Sequence, residues 1–225
     1  MKPHPQRRTS SLHHHLHEKK MTNTMIIDYS IDSKHYYEKV LDFKGTFYYD
    51  CPICNASHSF HRHGTYERNL VSLDLSGITE EKRLILRVLC TSCGHTHAIL
   101  PWDIIPFREF SATSFLQILK LFYCDDLCTL NIASLLCASF QVVYFVLKLF
   151  QDLMHNIQLF LRFALIFKGA KQPTPIPCLH IILDYPKGSS AFFLDYLCYH
   201  HKPLFMNRKS TSSYPIYISF PRSQN

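Results

Sequence analysis

Cys51-Pro-Ile-Cys54 and Cys90-Thr-Ser-Cys93 decide how this chain is read. Two cysteines separated by two residues can grip one metal ion from a single tight turn, and two such turns complete a closed tetrahedral set of four thiolates. The pattern predicts a zinc ribbon in which Cys51, Cys54, Cys90 and Cys93 hold one structural Zn2+. Each turn needs a residue that tolerates a left-handed backbone just after its second cysteine. Gly94 does so freely, and Asn55 is the next best choice. The pairs are separated by 35 residues, more than the roughly 15–20 of the common spacing, so the excess is expected to form a long hairpin.

Outward from the cysteines, β-prone residues alternate with polar ones. Strands are expected at Met25–Tyr29, Gly45–Tyr49, Tyr66–Leu73, Arg83–Leu89 and Thr96–Leu100, with a short helix near Tyr36–Leu41 and a turn at Gly64. The Gly45–Tyr49 run would lead straight into the first cysteine turn. Five histidines, His58, His61, His63, His95 and His97, crowd the two turns. Four thiols already fill a tetrahedral site, so these side chains are expected to face solvent or to hydrogen-bond to the ligands. Replacement of one thiolate by His, or a second metal, stays open. Pro101–Pro106 is an apolar connector, and its Trp102 is expected to pack the ribbon against the helices.

Beyond residue 110 the period becomes helical. Ser111–Tyr123 carries Phe115, Leu116, Leu119 and Phe122 on one stripe, and Leu130–Ala138 and Gln141–His155 come next. The last two fit a helix-turn-helix position by position. Ala133 is the small residue of the first helix, Ile132 and Leu136 point inward, Cys137 and Ala138 make the turn, and Val143 and Val146 line the buried side of the second helix. Cys137 stands where such turns usually carry glycine. On a recognition helix the groove-facing residues would be Ser139, Gln141, Val142, Tyr144, Phe145 and Lys148, where Gln pairs with adenine and Lys meets phosphate. A plain helical subdomain is the alternative. Ile157–Phe167 is too short and, with Arg162 inside, too polar to span a bilayer, so a buried or interfacial helix ended by Gly169 is expected. Lys171–Pro177, with three prolines, reads as a linker, and Tyr214–Ser219 as strand-like. Cys124, Cys128, Cys178 and Cys198 have no close partner pattern and are not expected to be ligands.

Composition bounds the function. With 225 residues, 47% of them hydrophobic, the chain can bury a core. Its net charge of +7 sits at the ends: +4 over residues 1–20 and +4 over 171–225, against −2 over 21–110 and +1 over 111–170. Basic ends suit a polyanion. The first 20 residues hold no apolar run of the secretory kind, so a reduced cytoplasm, which keeps thiolates free for metal, is the expected setting. After the helices only Asp184 and Asp195 remain, and no Glu follows Glu109. A two-metal recombinase needs clustered carboxylates, so no enzyme is expected, nor a small-molecule substrate or a membrane.

The expected fold class is α+β: a β-rich zinc ribbon over 25–106, a helical region over 107–169, and a mixed, less regular linker and C-terminal extension over 170–225. Residues 1–24, with His4, His13, His14, His15 and His17 among basic residues, are expected to be a disordered arm.

The combined string of Cys51-Pro-Ile-Cys54, His63-Gly-Thr-Tyr-Glu-Arg68, Ile85-Leu-Arg-Val88, Cys90-Thr-Ser-Cys-Gly-His-Thr-His97 and Ile104-Ile-Pro106 resembles uncharacterised short zinc-ribbon and helix-turn-helix proteins of Gram-positive bacteria. These in turn look like the N-terminal part of insertion-sequence transposases. The likeness runs from about residue 45 to 155, with a fainter echo in Asn207-Arg208 and Pro215-Ile-Tyr-Ile218. It implies a zinc-binding, DNA-associated role linked to mobile elements in a bacterial cytoplasm, with no enzymatic activity of its own. The other reading is an adaptor that docks a larger recombinase, another protein or a second copy of the chain.

Overall fold

The structure is a computed structural model that describes residues 24–167, 173–206 and 216–218. Its fold is α+β. A mixed sheet in the first half carries the four cysteines, and helices come after it. The strands are β1 (Thr24–Asp28), β2 (Phe60–Asp74), β3 (Gly77–Cys90), β4 (Thr96–Pro101) and β5 (Ile216–Ile218), in spatial order β2-β3-β4-β1-β5. Strands β2, β3 and β4 pair antiparallel, while β1 lies parallel to both β4 and β5.

The long hairpin is present, and longer than its apolar segments suggested. Asp74 pairs with Gly77 across Leu75-Ser76, and the Asp74 carboxylate accepts the Ser76 N–H at 2.8 Å, closing the turn. Glu80 and Glu81 lie inside β3, where Glu80 is exposed and the half-buried Glu81 is ion-paired with Arg83, so neither charge is buried alone. Gly64 is not a turn. It lies within β2, at φ +139, where the register shifts by one residue between Arg62 and Gly64. Gly45–Tyr49 forms no strand. Its alternating aromatics instead drive Phe47 and Tyr49 into the sheet core, where the Tyr49 hydroxyl donates to Asp28 at 2.6 Å. The expected short helix is a single π-turn, Tyr37–Leu41. Just before it, Tyr36 donates to the Ile99 carbonyl at 2.6 Å and accepts the Leu86 N–H at 3.0 Å.

Five helices are described: α1 (Ala112–Tyr123), α2 (Thr129–Leu135), α3 (Phe140–Phe163), α4 (Pro175–Leu183) and α5 (Ser189–His200). Helix α3 fuses the segments expected at Gln141–His155 and Ile157–Phe167. Its buried residues Val143, Val146, Phe150, Leu153, Ile157 and Phe160 continue one stripe without a break. It ends at Phe163, before Gly169, which lies outside the described residues. No helix among the described residues is long and apolar enough to cross a membrane.

The proline-rich stretch is a linker only in part. Thr174 stands at the N-terminal boundary of α4, and Pro175 and Pro177 fall in its first turn, where backbone N–H groups have no intrahelical partner to lose. Neither α4 nor α5 is peripheral. Cys178, Leu179, Ile182, Phe192, Phe193, Tyr196 and Phe205 are buried in the same core as α1 and α3. Trp102 packs the sheet region against the helices as expected, with its ring edge-on to Phe193 of α5 at 5.5 Å.

The sheet and helices are tied by polar contacts as well. The Asp103 carboxylate accepts the Ser33 N–H at 2.8 Å and the Ser33 hydroxyl at 2.5 Å, while its backbone carbonyl accepts the Ala112 N–H at 2.8 Å. Ser111 caps α1, and Ser114 in its first turn accepts the Leu73 N–H at 2.8 Å. The expected arm with His4, His13, His14, His15 and His17 lies outside the described residues, as do Asn207, Arg208 and Pro215. The echo at 216–218 is β5.

Candidate metal centre and the helix pair beyond it

Two matching turns build the cysteine cluster. In the first, the Cys51 N–H donates to Ala56 O at 2.9 Å and the Asn55 N–H to Cys51 O at 2.8 Å. In the second, the Cys90 N–H donates to His95 O at 2.9 Å and the Gly94 N–H to Cys90 O at 2.8 Å. Asn55 at φ 56 and Gly94 at φ 72 are both left-handed, as the metal-binding turn requires. The turns are held side by side where the hairpin returns: Phe60 pairs with Cys90, and the Thr91 N–H donates to Ser59 O at 2.8 Å.

The four sulfurs of Cys51, Cys54, Cys90 and Cys93 converge within 4.8 Å of one another. Cys51 Sγ is 3.6 Å from Cys93 Sγ, and Cys54 Sγ is 3.8 Å from Cys90 Sγ. A tetrahedral zinc with Zn–S bonds of about 2.3 Å sets its sulfurs roughly 3.8 Å apart. Disulfide bonds would bring them to about 2.05 Å, and all nine cysteines are free. Donor chemistry and spacing therefore both fit zinc.

Electrostatics point the same way. Burial pushes the Cys51 thiol up to about 12. Burial opposes ionisation of Cys90 too, but the Ser59 hydroxyl and the backbone N–H groups of Cys93 and Ser92 outweigh it and bring that thiol down to about 6. On its own the cluster thus ionises Cys90 readily, while burial holds the Cys51 and Cys93 thiols back. A cation is what allows four thiolates to share this space.

The histidines divide. His58, His61 and His63 are exposed and His95 is half-buried. His97 is fully buried on β4, with Nε2 3.5 Å from Cys51 Sγ and the ring edge-on to Phe60 at 5.4 Å. Burial, helped by His95, pushes its pKa down to about 4, so the imidazole is neutral. Among the described residues the only group of three or more His, Cys, Asp or Glu that could hold a metal is the four cysteines. The alternation of β4 does not reveal that His97 points inward, because every residue of this strand is buried. The signal that could have found it is the Thr96–Pro101 run itself, which is apolar on both faces of the strand apart from Thr96 and His97.

Residues 51–134 match a domain of unknown function (DUF6431). The matched span opens on the first cysteine, contains all four, and reaches through the hairpin and α1 into α2. No curated protein and no solved structure matches the chain.

The helix pair has the packing expected of it. Ile132, Ala133, Leu136, Val143 and Val146 are all buried. Cys137 adopts φ 50, so the glycine-like turn conformation is made by a cysteine. The proposed groove residues are a mixed set. Ser139 caps α3, accepting the Val142 N–H at 3.4 Å. Gln141 and Tyr144 are exposed, and Tyr144 stacks on Phe140 at 6.2 Å. Lys148 is exposed and ion-paired with Asp152 at 2.7 Å. Val142 is half-buried against the helical core. Phe145 turns its ring toward Phe115 at 6.2 Å, and the Arg108 guanidinium covers it at 4.7 Å. Packing explains that phenylalanine better than base contact does.

The other cysteines are scattered. Cys124 and Cys128 flank the α1–α2 turn, Cys178 is in the helical core, and Cys198 is exposed on α5.

Proposed function

We propose that this chain is a non-enzymatic DNA-binding module in which a structural zinc ribbon holds a helix-turn-helix against nucleic acid. The observation that carries it is the α2–α3 pair. Five small or branched apolar residues close its inner face, Cys137 makes its left-handed turn, and Gln141 and Tyr144 stand exposed on the first turns of α3. Zinc held by four cysteines has no open position for water, so its role in this reading is architectural and not catalytic. A place beside transposition machinery in a bacterial cytoplasm is part of the proposal. It rests on the resemblance of residues 45–155 to transposase N-terminal regions.

The test is DNA binding across a salt series with the purified chain, wild type against Gln141→Ala/Lys148→Ala. Phosphate contacts make affinity fall steeply with salt, and the double variant should bind more weakly. Unchanged affinity in the double variant would rule out α3 as the contacting helix.

One observation favours a second reading, a protein-docking adaptor. Leu130, Leu135, Phe140 and Tyr144, large apolar or aromatic side chains of the same helix pair, are exposed, and Lys148 is engaged by Asp152. A partner protein or a second copy of the chain would cover such a face. Its binding would survive salt that abolishes contacts to DNA.

A further inference from the structure

The cysteine cluster is not symmetric, and the asymmetry has a chemical consequence. Cys51 and Cys90 are fully buried, Cys93 is half-buried, and Cys54 is exposed. Each buried sulfur meets one polar side chain. His97 Nε2 lies 3.5 Å from Cys51 Sγ, and Ser59 Oγ lies 3.3 Å from Cys90 Sγ. A metal-bound thiolate can only accept a hydrogen bond, so in both contacts the proton must come from the imidazole or the hydroxyl. Ser59 Oγ is also 3.3 Å from Ala56 O, and of these two acceptors the charged sulfur is the stronger.

We infer that His97 and Ser59 are positioning donors for the buried half of the cluster, and that they leave Cys54 as the sulfur at which electrophiles open the site. The inference rests on the assignment of zinc to the four cysteines. A hydrogen bond withdraws charge from a thiolate and lowers its nucleophilicity. Cys51 and Cys90 are thus shielded both by burial and by a donor, while Cys54 presents its sulfur to solvent. With a maleimide the step balances: the Cys54 thiolate attacks the ring alkene, an S–C bond forms, and the resulting enolate takes a proton from water. The product is a thioether, a far weaker metal ligand, so zinc leaves with the modification.

The test uses the full chain loaded with zinc and treated with limiting N-ethylmaleimide. Zinc release is followed with a chromogenic chelator, the first adduct is located by peptide mass spectrometry, and zinc affinity is measured by chelator competition. With the exposed cysteines outside the cluster, Cys128, Cys137 and Cys198, replaced by Ser, the first of the four ligands to carry an adduct should be Cys54, with zinc released in step. His97→Leu, which keeps the bulk and removes the donor, should weaken zinc about 10-fold or more and speed its release accordingly. His97→Gln, which keeps an N–H, should recover most of that loss. Ser59→Ala should weaken zinc in the same direction, and it serves as the test should the buried His97→Leu variant fold poorly. A first ligand adduct on Cys51, Cys90 or Cys93 would overturn the inference, as would Leu and Gln variants that behave alike or a Ser59→Ala protein with wild-type affinity. A wild-type chain that binds no zinc would instead overturn the metal assignment itself.

Discussion

Cys51 and Cys93, 42 residues apart in the chain, bring their sulfurs to 3.6 Å without a bond between them. The contact closes the sheet core at one end, since Cys51 and Cys90 are buried with Phe60, Tyr49 and Ile99. Without a cation, four thiolates packed this closely at the end of the sheet would repel one another. Cys51→Ser and Cys90→Ser should therefore each lower metal content and destabilise the ribbon, with the thermal transition of the zinc-loaded chain falling by several degrees or splitting in two. Calorimetry of both variants beside wild type checks this.

Cys137 occupies φ 50, a conformation that costs a residue with a Cβ about 1 kcal/mol and glycine almost nothing. Cys137→Gly should be neutral or stabilising by up to about 1 kcal/mol. Cys137→Val, β-branched in a left-handed turn, should cost about 1–2 kcal/mol. Denaturant unfolding of the pair reads the difference.

Asp103 offers a pH signature independent of the metal. Burial raises its pKa above the ordinary value of 3.8, more than its hydrogen bonds from Ser33 and its own backbone lower it. The folded state thus holds this proton to higher pH than the unfolded state does. The contribution of Asp103 to stability should therefore grow as pH falls from above its folded pKa toward 3.8, and be unfavourable at neutral pH. Thiol protonation acts on the same samples, so the quantity to follow is the stability difference between wild type and Asp103→Asn, measured from pH 7 downward. That difference should move in favour of the wild type as pH falls.

Asp152 pairs with Lys148 on the exposed side of α3 at 2.7 Å. Under the DNA reading this carboxylate competes with phosphate for the lysine. Asp152→Asn should strengthen DNA binding several-fold at low salt and steepen its salt dependence. Under the adaptor reading, DNA affinity should not respond. A fluorescence titration on a mixed-sequence duplex distinguishes the two.

The parts legible in the sequence were those with local signatures. The cysteine spacing and its two left-handed residues placed the metal-binding turns, and the 3.6-residue period of Phe115, Leu116 and Leu119 placed α1. What escaped depended on tertiary context. Gly45–Tyr49 alternates like a strand, yet its Phe47 and Tyr49 are held by burial and by Asp28 with no ladder partner. Pro175 and Pro177 suggested a linker because a proline breaks a helix interior, but in a first turn it breaks nothing. In α5 the pairs Phe192-Phe193 and Tyr196-Leu197 recur four residues apart, a helical signal diluted by Tyr199 and by short polar residues at its start. A ligand-side hydrogen bond was among the roles expected of the five histidines, but alternation could not single out His97 for it, because β4 is buried on both faces.

The most direct measurement is elemental analysis with sulfur-edge and zinc-edge X-ray absorption on the purified full chain. One zinc per chain, bound by four sulfurs at about 2.3 Å, is the expected result. A chain that folds with no metal, or that holds zinc through nitrogen or oxygen ligands, would contradict the assignment of Cys51, Cys54, Cys90 and Cys93 as its ligands.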